Sequence, residues 1–386
     1  MVECLNCLLC VSASAEQAQR LQAGGPRRDF IELADAVNGE ILFADDTRAK
    51  GLVGRLTGPH IRQAWAAARL ARRGTTVFAD GEHIGIPLLG FLAVTGKRRR
   101  RVVMLGHLVS KRWKRALLAV TTRVVPGGVL IVHSEVQAAA VRRVLGRSWE
   151  VRLVPYQVDT DFWRSTTAAP TDGPIIAVGS ENRDYETLTA AVRGQNRKVV
   201  IAAGSHWARK TAGSSSLPSN VEYLSQPLGF RELRDAYANA SLVVMPLLDV
   251  DNQSGVTGIL EAMSMSRPVV VTASTGQREC VTGPLVNADG SIDEKAMASR
   301  GPQLFGDSPD GQWTGVYAAA NDASSLRAAI EFAVSDASRA QAMAEAGRKS
   351  AEEHFSIERY VSALAGILRD GEVVGAPEAA PVAQTG

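Results

Sequence analysis

The segment 246–271, PLLDVDNQSGVTGILEAMSMSRPVVV, brings together residue types that can hold a phosphate ester and a sugar. Gly255 has no side chain, so a ligand can come close to the amides that open a helix there. Free amides and the positive end of the helix dipole favour a phosphate. Gln253, Ser254 and Thr257 add polar groups beside the same loop. Glu261, about two turns along, offers a carboxylate to sugar hydroxyls. An ordinary strand–turn–helix accounts for Gly255 and Pro268 but not for that polar trio. Two further clusters follow apolar runs: Asp80-Gly81-Glu82-His83, and His107. Both place polar side chains at a strand end, although a histidine there can also be a satisfied structural group. Cys4, Cys7 and Cys10 mimic a metal motif, but residues three apart on a strand point to opposite faces. They are expected to be buried apolar thiols, and no metal site is expected. No Gly-x-Gly fingerprint follows the first strand, which argues against a dinucleotide cofactor.

These residues need strands that end at one edge. Apolar runs at 5–11, 40–44, 76–79, 101–106, 129–133 and 151–155 predict strands. Helical spacing at 30–37, 59–73, 84–95, 110–122 and 135–145 predicts helices between them. After a Thr/Ala/Asp/Gly/Pro-rich stretch at 165–174 a second series begins. Strands are predicted at 175–178, 198–203, 221–224, 242–245 and 268–272, with helices at 184–192, 231–239 and 255–265. Residues 210–219 form a polar loop, and 285–314 carry few periodic signals. Helices close the chain at 323–335, 337–353 and 357–369, before a tail from 371 to 386 expected to be disordered. Continuous apolar strands alternating with helices predict parallel sheets. The fold class is therefore α/β, with two Rossmann-like doubly wound domains facing across a cleft.

The 386 residues suffice for two large domains. A hydrophobic content of 45% with 22% charged residues excludes wholesale disorder, and four cysteines exclude a disulfide scaffold. No run reaches the ~18 apolar residues of a spanning helix, since 84–96 is interrupted by Pro87 and three glycines. Met1-Val2-Glu3 lacks the basic start of a secretory leader, so a cytoplasmic protein is expected. Charge is divided unevenly: +11 over residues 1–160 and −8 over the rest. No acidic residue lies between Glu82 and Glu135, a window holding Lys97 to Arg101 and Lys111-Arg112-Trp113-Lys114-Arg115. That run is either a solvated basic face or a peripheral contact with an anionic membrane through residues 97–115. No nucleic-acid motif accompanies it.

The order and spacing of these motifs resemble the retaining GT-B glycosyltransferases of family 4 type (glycosyl transferases group 1). Their donor signature has two glutamates separated by seven residues, then Ala-Met and Pro-Val-Val. Here Gln253 stands at the first glutamate and Glu261-Ala262-Met263 at the second. Gly24-Gly25-Pro26-Arg27 resembles the family's Gly-Gly loop, and Met104-Leu105-Gly106-His107 its strand ending in histidine. Val154 to Phe162 resembles the interdomain segment, Ala177-Val178-Gly179-Ser180 the first donor loop, and Glu353 to Tyr360 the segment that returns to the first domain.

The resemblance implies an acceptor domain at 1–163, a nucleotide-sugar domain at 164–353 and a helix at 354–370 packed back on the first domain. It implies catalytic roles for His107, Gln253 and Glu261. Donor binding would fall to Gly179, Arg183, His206, Ser254, Gly255, Val256, Thr257 and Glu261, with Glu261 on the ribose and Gln253 on the donor sugar. Ser180 replaces the family's arginine and Arg183 its lysine, so His206, Arg209 or Lys210 would supply the second cation. Acceptor binding would fall to Gly24, Gly25, Glu82, His83 and His107. The implied reaction moves a sugar from a nucleotide-diphosphate sugar, a UDP-sugar by preference, to a hydroxyl acceptor without metal or other cofactor. The absent first glutamate keeps a non-catalytic nucleotide-sugar-binding protein, or a sugar-nucleotide epimerase, as alternatives.

Overall fold

The computed structural model describes residues 7–16, 18, 24–47, 58–72, 74–203, 217–293 and 312–369. Cys4, His206, Arg209 and Lys210, most of the polar loop at 210–219, residues 294–311 and the tail 371–386 lie outside the described residues.

The first sheet holds six parallel strands in the order β2-β1-β3-β4-β5-β6. They are β1 (Cys7–Val11), β2 (Glu40–Phe43), β3 (Thr76–Ala79), β4 (Arg101–Leu105), β5 (Gly128–Val132) and β6 (Trp149–Leu153). β1 and β3 are buried at every position, as both-sided burial of a parallel sheet requires. Leu9 sits between Ile41 and Phe78 in register. β6 starts two residues before its predicted position because Trp149 anchors it: the indole donates to the Val125 carbonyl at 2.7 Å.

Helices α1 (Asp29–Val37), α2 (Pro59–Leu70), α3 (Glu82–Val94), α4 (Arg112–Val124) and α5 (Glu135–Arg142) link these strands. The order reverses once, after β2, so right-handed crossovers put α1 on one face and α2 to α5 on the other. The cysteines report the two faces: Cys10 belongs to the core under α2 to α5, and Cys7 to the core under α1. Burial raises both thiols above their ordinary pKa. One helix cannot cover the second face of six strands. The remainder is filled from the far end of the chain.

The second sheet has the order β12-β13-β11-β10-β7-β8-β9, all parallel. Its strands are β7 (Ile175–Val178), β8 (Val199–Ala202), β9 (Val221–Tyr223), β10 (Leu242–Met245), β11 (Val269–Thr272), β12 (Leu285–Val286) and β13 (Val316–Ala318). β12 and β13 fall in or just beyond the stretch with no periodic signal. They have two and three residues, too few to show a period. Around them pack α6 (Tyr185–Val192), α7 (Phe230–Ala238), α8 (Val256–Ser264), α9 (Ala323–Val334) and α10 (Ala337–His354).

The final helix α11 (Ile357–Arg369) lies beside α1, and Ile357, Leu364 and Leu368 complete the first domain's second core. The chain crosses between domains twice in one place. Val158 donates to the Phe355 carbonyl at 2.8 Å, and Ile357 to the Val158 carbonyl at 3.0 Å. Arg27 ties both crossings to the loop before α1, contacting Asp159 at 2.8 Å and Glu358 at 2.6 Å.

Candidate functional site

A cavity of about 460 Å³ lies where the carboxyl ends of β4 and β5 face those of β7 and β10. This is the position expected of ligand sites in doubly wound sheets. His107, His133, Gln137 and Tyr156 line it from the first domain, and Gly179, Ser180, Glu181, Arg183 and Asn252 to Gly258 from the second.

The second-domain wall is built on the entry to α8. Gly255 caps the helix at φ +80°, and a Cβ there would lie 3.0 Å from both Leu247 and Met245. Only glycine holds this left-handed turn without strain. The first intrahelical bond runs from Ile259 to the Gly255 carbonyl. The amides of Val256, Thr257 and Gly258 precede it, as at every helix start, and all three residues line the cavity. Ser254 does not cap the helix; its buried hydroxyl accepts from Asn182 at 2.9 Å and Asn252 at 3.0 Å, lacing the two second-domain loops together.

Arg183 faces this helix start. Its guanidinium donates to the carbonyls of Val178 at 2.8 Å and Glu181 at 2.6 Å. No carboxylate ion-pairs it among the described residues. Burial lowers its pKa from the ordinary arginine value. A partly buried cation against a row of helix-start amides is a receptor for an anion. Gln253 also lines the cavity, and its Oε1 is buried without a hydrogen-bond partner in the described structure.

Glu261 sits one turn beyond Gly258 on the same helix face. It is buried, does not line the cavity, and accepts a 3.0 Å hydrogen bond from the Tyr237 hydroxyl. Burial pushes its pKa up to about 8, against which the Tyr237 bond works. Arg267, itself fully buried, holds the last carbonyls of α7 at Tyr237 (2.8 Å) and Ala238 (3.0 Å), and so fixes that phenol. Glu261 therefore stands behind Gly258 and not on the cavity lining, so a ligand has to pass Gly258 to reach its carboxylate.

The first-domain wall corrects other expectations. His107 is exposed at the rim; its Nε2 meets the Asp80 carbonyl at 2.8 Å, and its amide donates to Glu82 at 2.9 Å. Glu82 cannot touch an acceptor. It is buried in an ion pair with Lys114 at 2.5 Å and also takes the Leu108 amide, so it positions the His107 loop. His83 turns away to stack edge-on against His60, 4.5 Å between centroids. Gly24 and Gly25 do not line the cavity either. The Gly24 carbonyl accepts from Arg231 of the second domain at 3.3 Å, which makes this loop an interdomain contact.

His133, Tyr156 and Glu279 were not among the sequence candidates. His133 is buried with Nδ1 2.9 Å from the Val154 carbonyl, so that nitrogen carries the proton; Nε2 has no partner in the described structure. Burial, with His107 nearby, lowers its pKa to about 4, keeping it a neutral acceptor at the cavity. Its ring packs 5.1 Å from Tyr156. A smaller chamber of about 160 Å³ shares His107 and Tyr156 with the main cavity and is lined by Asp29, Asp80 and Tyr360. Glu279 closes the cleft on another side: its carboxylate accepts the amide of Glu135, at the start of α5, at 3.1 Å. The only advance signal for His133 was its place at the end of a strand. Glu279 had none.

Residues 181–307 match the family described as glycosyl transferases group 1. Among solved structures, sucrose-phosphate synthase from Thermosynechococcus elongatus superposes with a TM-score of 0.67 at 16% identity, over 94% of this chain and 98% of that one. Anabaena HepE in complex with UDP and glucose gives 0.62 at 13%, over 94% and 99%. A trehalose 6-phosphate synthase from Burkholderia multivorans gives 0.61 at 12%, over 94% and 96%. No curated protein sequence matches the chain. The two facing parallel sheets are the GT-B fold of these structures.

Proposed function

From a chain whose residues 181–307 match glycosyl transferases group 1 and whose two domains take the GT-B fold, we propose a retaining glycosyltransferase of family 4 type that uses a nucleotide-diphosphate sugar, UDP-linked by preference. The observation that carries this reading is the pairing of the uncapped α8 start with the Arg183 guanidinium across one cavity. A diphosphate between them meets the amides of Val256, Thr257 and Gly258 on one side and a cation on the other. HepE, of the same fold, is described with UDP and with UDP-glucose, which supports a uridine donor.

In this reading the pentose reaches past Gly258 to Glu261, and the sugar presents a hydroxyl to the unpartnered oxygen of Gln253. The acceptor hydroxyl enters from the smaller chamber past His107 and Tyr156. The bond from the anomeric carbon to the diphosphate breaks while the acceptor oxygen bonds that carbon from the same face. The acceptor proton passes to the leaving phosphate oxygen. The protein's part is to align the partners and stabilise the diphosphate charge. Arg183 and the helix start supply the opposing positive charge without a metal ion. We place the enzyme in the cytoplasm, with peripheral contact to an anionic membrane near residues 97–115. No helix among the described residues is long and apolar enough to cross a membrane.

Calorimetry with UDP, GDP and their sugars tests donor binding, and the anomeric configuration of the transferred sugar, read by NMR, tests retention. Absence of binding by any nucleotide sugar ends the proposal. Gln253 in place of glutamate favours a second reading, a nucleotide-sugar binder without turnover. Binding with neither transfer nor donor hydrolysis would select it.

A further inference from the structure

Ten large apolar side chains are exposed among the described residues, and eight of them lie on α2, α3 and α4. Scattered exposed hydrophobics need no explanation, but this concentration does. On α4, Trp113 (60% exposed), Leu117 (43%), Val120 (63%) and Val124 (37%) follow spacings of four, three and four. That is a single stripe along one helix face. Leu118 and Thr122, on the opposite face, are buried against the domain core. Val94, at the end of α3, and Leu70, at the end of α2, extend the apolar outer surface.

Charge on this surface has one sign. From Pro59 to Val124 the only acids are Asp80 and Glu82. Glu82 is buried in its ion pair, and Asp80 accepts from Ser12 in the chamber. The basic run itself divides. Lys97 holds the final carbonyls of α2 at Ala68, Arg69 and Ala71. Arg100 reaches Ala71, Arg101 reaches the Ile367 carbonyl, and Lys114 pairs with Glu82. Four of the run's nine cations therefore hold the fold. Arg98 and Arg99 beyond the end of α3, and Lys111 and Arg112 at the start of α4, are exposed and bracket the apolar surface.

We propose that the outer face of α2 to α4, centred on the Trp113-Leu117-Val120-Val124 stripe, lies in the headgroup region of an anionic bilayer. An apolar stripe bracketed by cations and headed by a tryptophan matches the interfacial helix geometry. A second copy of the chain would set cations against cations, and nucleic acid would leave the apolar stripe in water. The stripe begins at the cleft. Trp113 precedes Lys114, whose partner Glu82 holds the His107 loop at the cavity rim. Docking therefore turns the His107 rim of the cavity toward the membrane. If the transferase reading holds, on which this step rests, the acceptor is a membrane lipid or lipid-linked molecule with a free hydroxyl.

The test is flotation of the full chain with phosphatidylcholine vesicles with and without phosphatidylglycerol. The unaltered protein is expected to float with the anionic vesicles. Trp113→Ser with Leu117→Ser is expected to weaken partitioning at least about tenfold. Neutralising Arg98, Arg99, Lys111 and Arg112 to Gln is expected to weaken it roughly fivefold per charge and remove its salt dependence. Brominated acyl chains should quench the unaltered protein's tryptophan emission, and Trp113→Phe should reduce that quenching to the share contributed by Trp65 on α2. Absence of flotation by the unaltered protein overturns the proposal. So does flotation indifferent to the Trp113/Leu117 change, or a lipid-free dimer that this change dissolves. UDP calorimetry on the same samples separates the two readings: vesicle binding without UDP binding sinks the transferase, and UDP binding without vesicle binding sinks the docking surface.

Discussion

In the proposed reading, with a pentose on Glu261, donor binding depends on pH in a defined direction. Burial holds the Glu261 pKa at about 8, so the carboxyl is mostly protonated at neutral pH. The hydroxyls of a pentose donate hydrogen bonds to the ionised form, and binding draws on that fraction. With this pKa, ionisation rises from roughly 10% at pH 7 to roughly 90% at pH 9. UDP affinity should therefore rise roughly tenfold over that interval. The terminal phosphate, with a second pKa near ~6, is already ionised and adds little. Calorimetry in buffers of different ionisation enthalpy would show a proton released on binding below pH 8. Glu261→Gln should flatten the profile. Tyr237→Phe removes the hydrogen bond that favours the ionised form and should move the rise to higher pH. The same acid gives a stability slope of opposite sense. Its folded-state pKa lies above the ordinary 4.5, so the folded chain keeps a proton that the unfolded chain releases. Stability falls as pH rises from about 4.5 to about 8, by roughly 1.4 kcal/mol per pH unit. UDP affinity flat between pH 7 and 9, or a slope kept by Glu261→Gln, would refute contact between this carboxylate and the donor.

Arg183→Gln removes the guanidinium that faces the helix start and should weaken UDP binding by roughly 10- to 100-fold in calorimetry. Gly255→Ala forces a left-handed residue, at about 1–2 kcal/mol, and presses on Leu247 and Met245; it should lower the melting temperature by several degrees and weaken UDP binding together. His133 has a folded pKa of about 4 against an ordinary 6.5, so the unfolded chain binds the extra proton between those values. Stability should fall as pH drops from about 6.5 to about 4, by roughly 1.4 kcal/mol per unit, and urea midpoints of His133→Gln should lack that slope.

Most of the fold was legible because parallel strands buried on both faces leave uninterrupted apolar runs. The runs at 76–79, 175–178 and 242–245 became β3, β7 and β10 with the same bounds. Legibility failed where elements were too short to carry a period, as at β12 and β13. It failed at α3 for a different reason: the helix begins at Glu82, ahead of its apolar run, because that residue's partner Lys114 lies a full strand and helix away.

The donor-side loop was readable because its parts are contiguous. A glycine at a helix start, the amides after it and a glutamate one turn beyond need only local geometry to share a face. The acceptor side was not readable in that way. Glu82 looked like a wall residue and proved a buried prop, while His133 looked structural and stands at the cavity with an unpartnered nitrogen. Sequence alone therefore determined which turn leaves helix-start amides open at the cavity. Tertiary structure decided what faces it, because strand order in two sheets sets which distant loops meet. Burial, which depends on every neighbour at once, then decided which carboxylate keeps its proton.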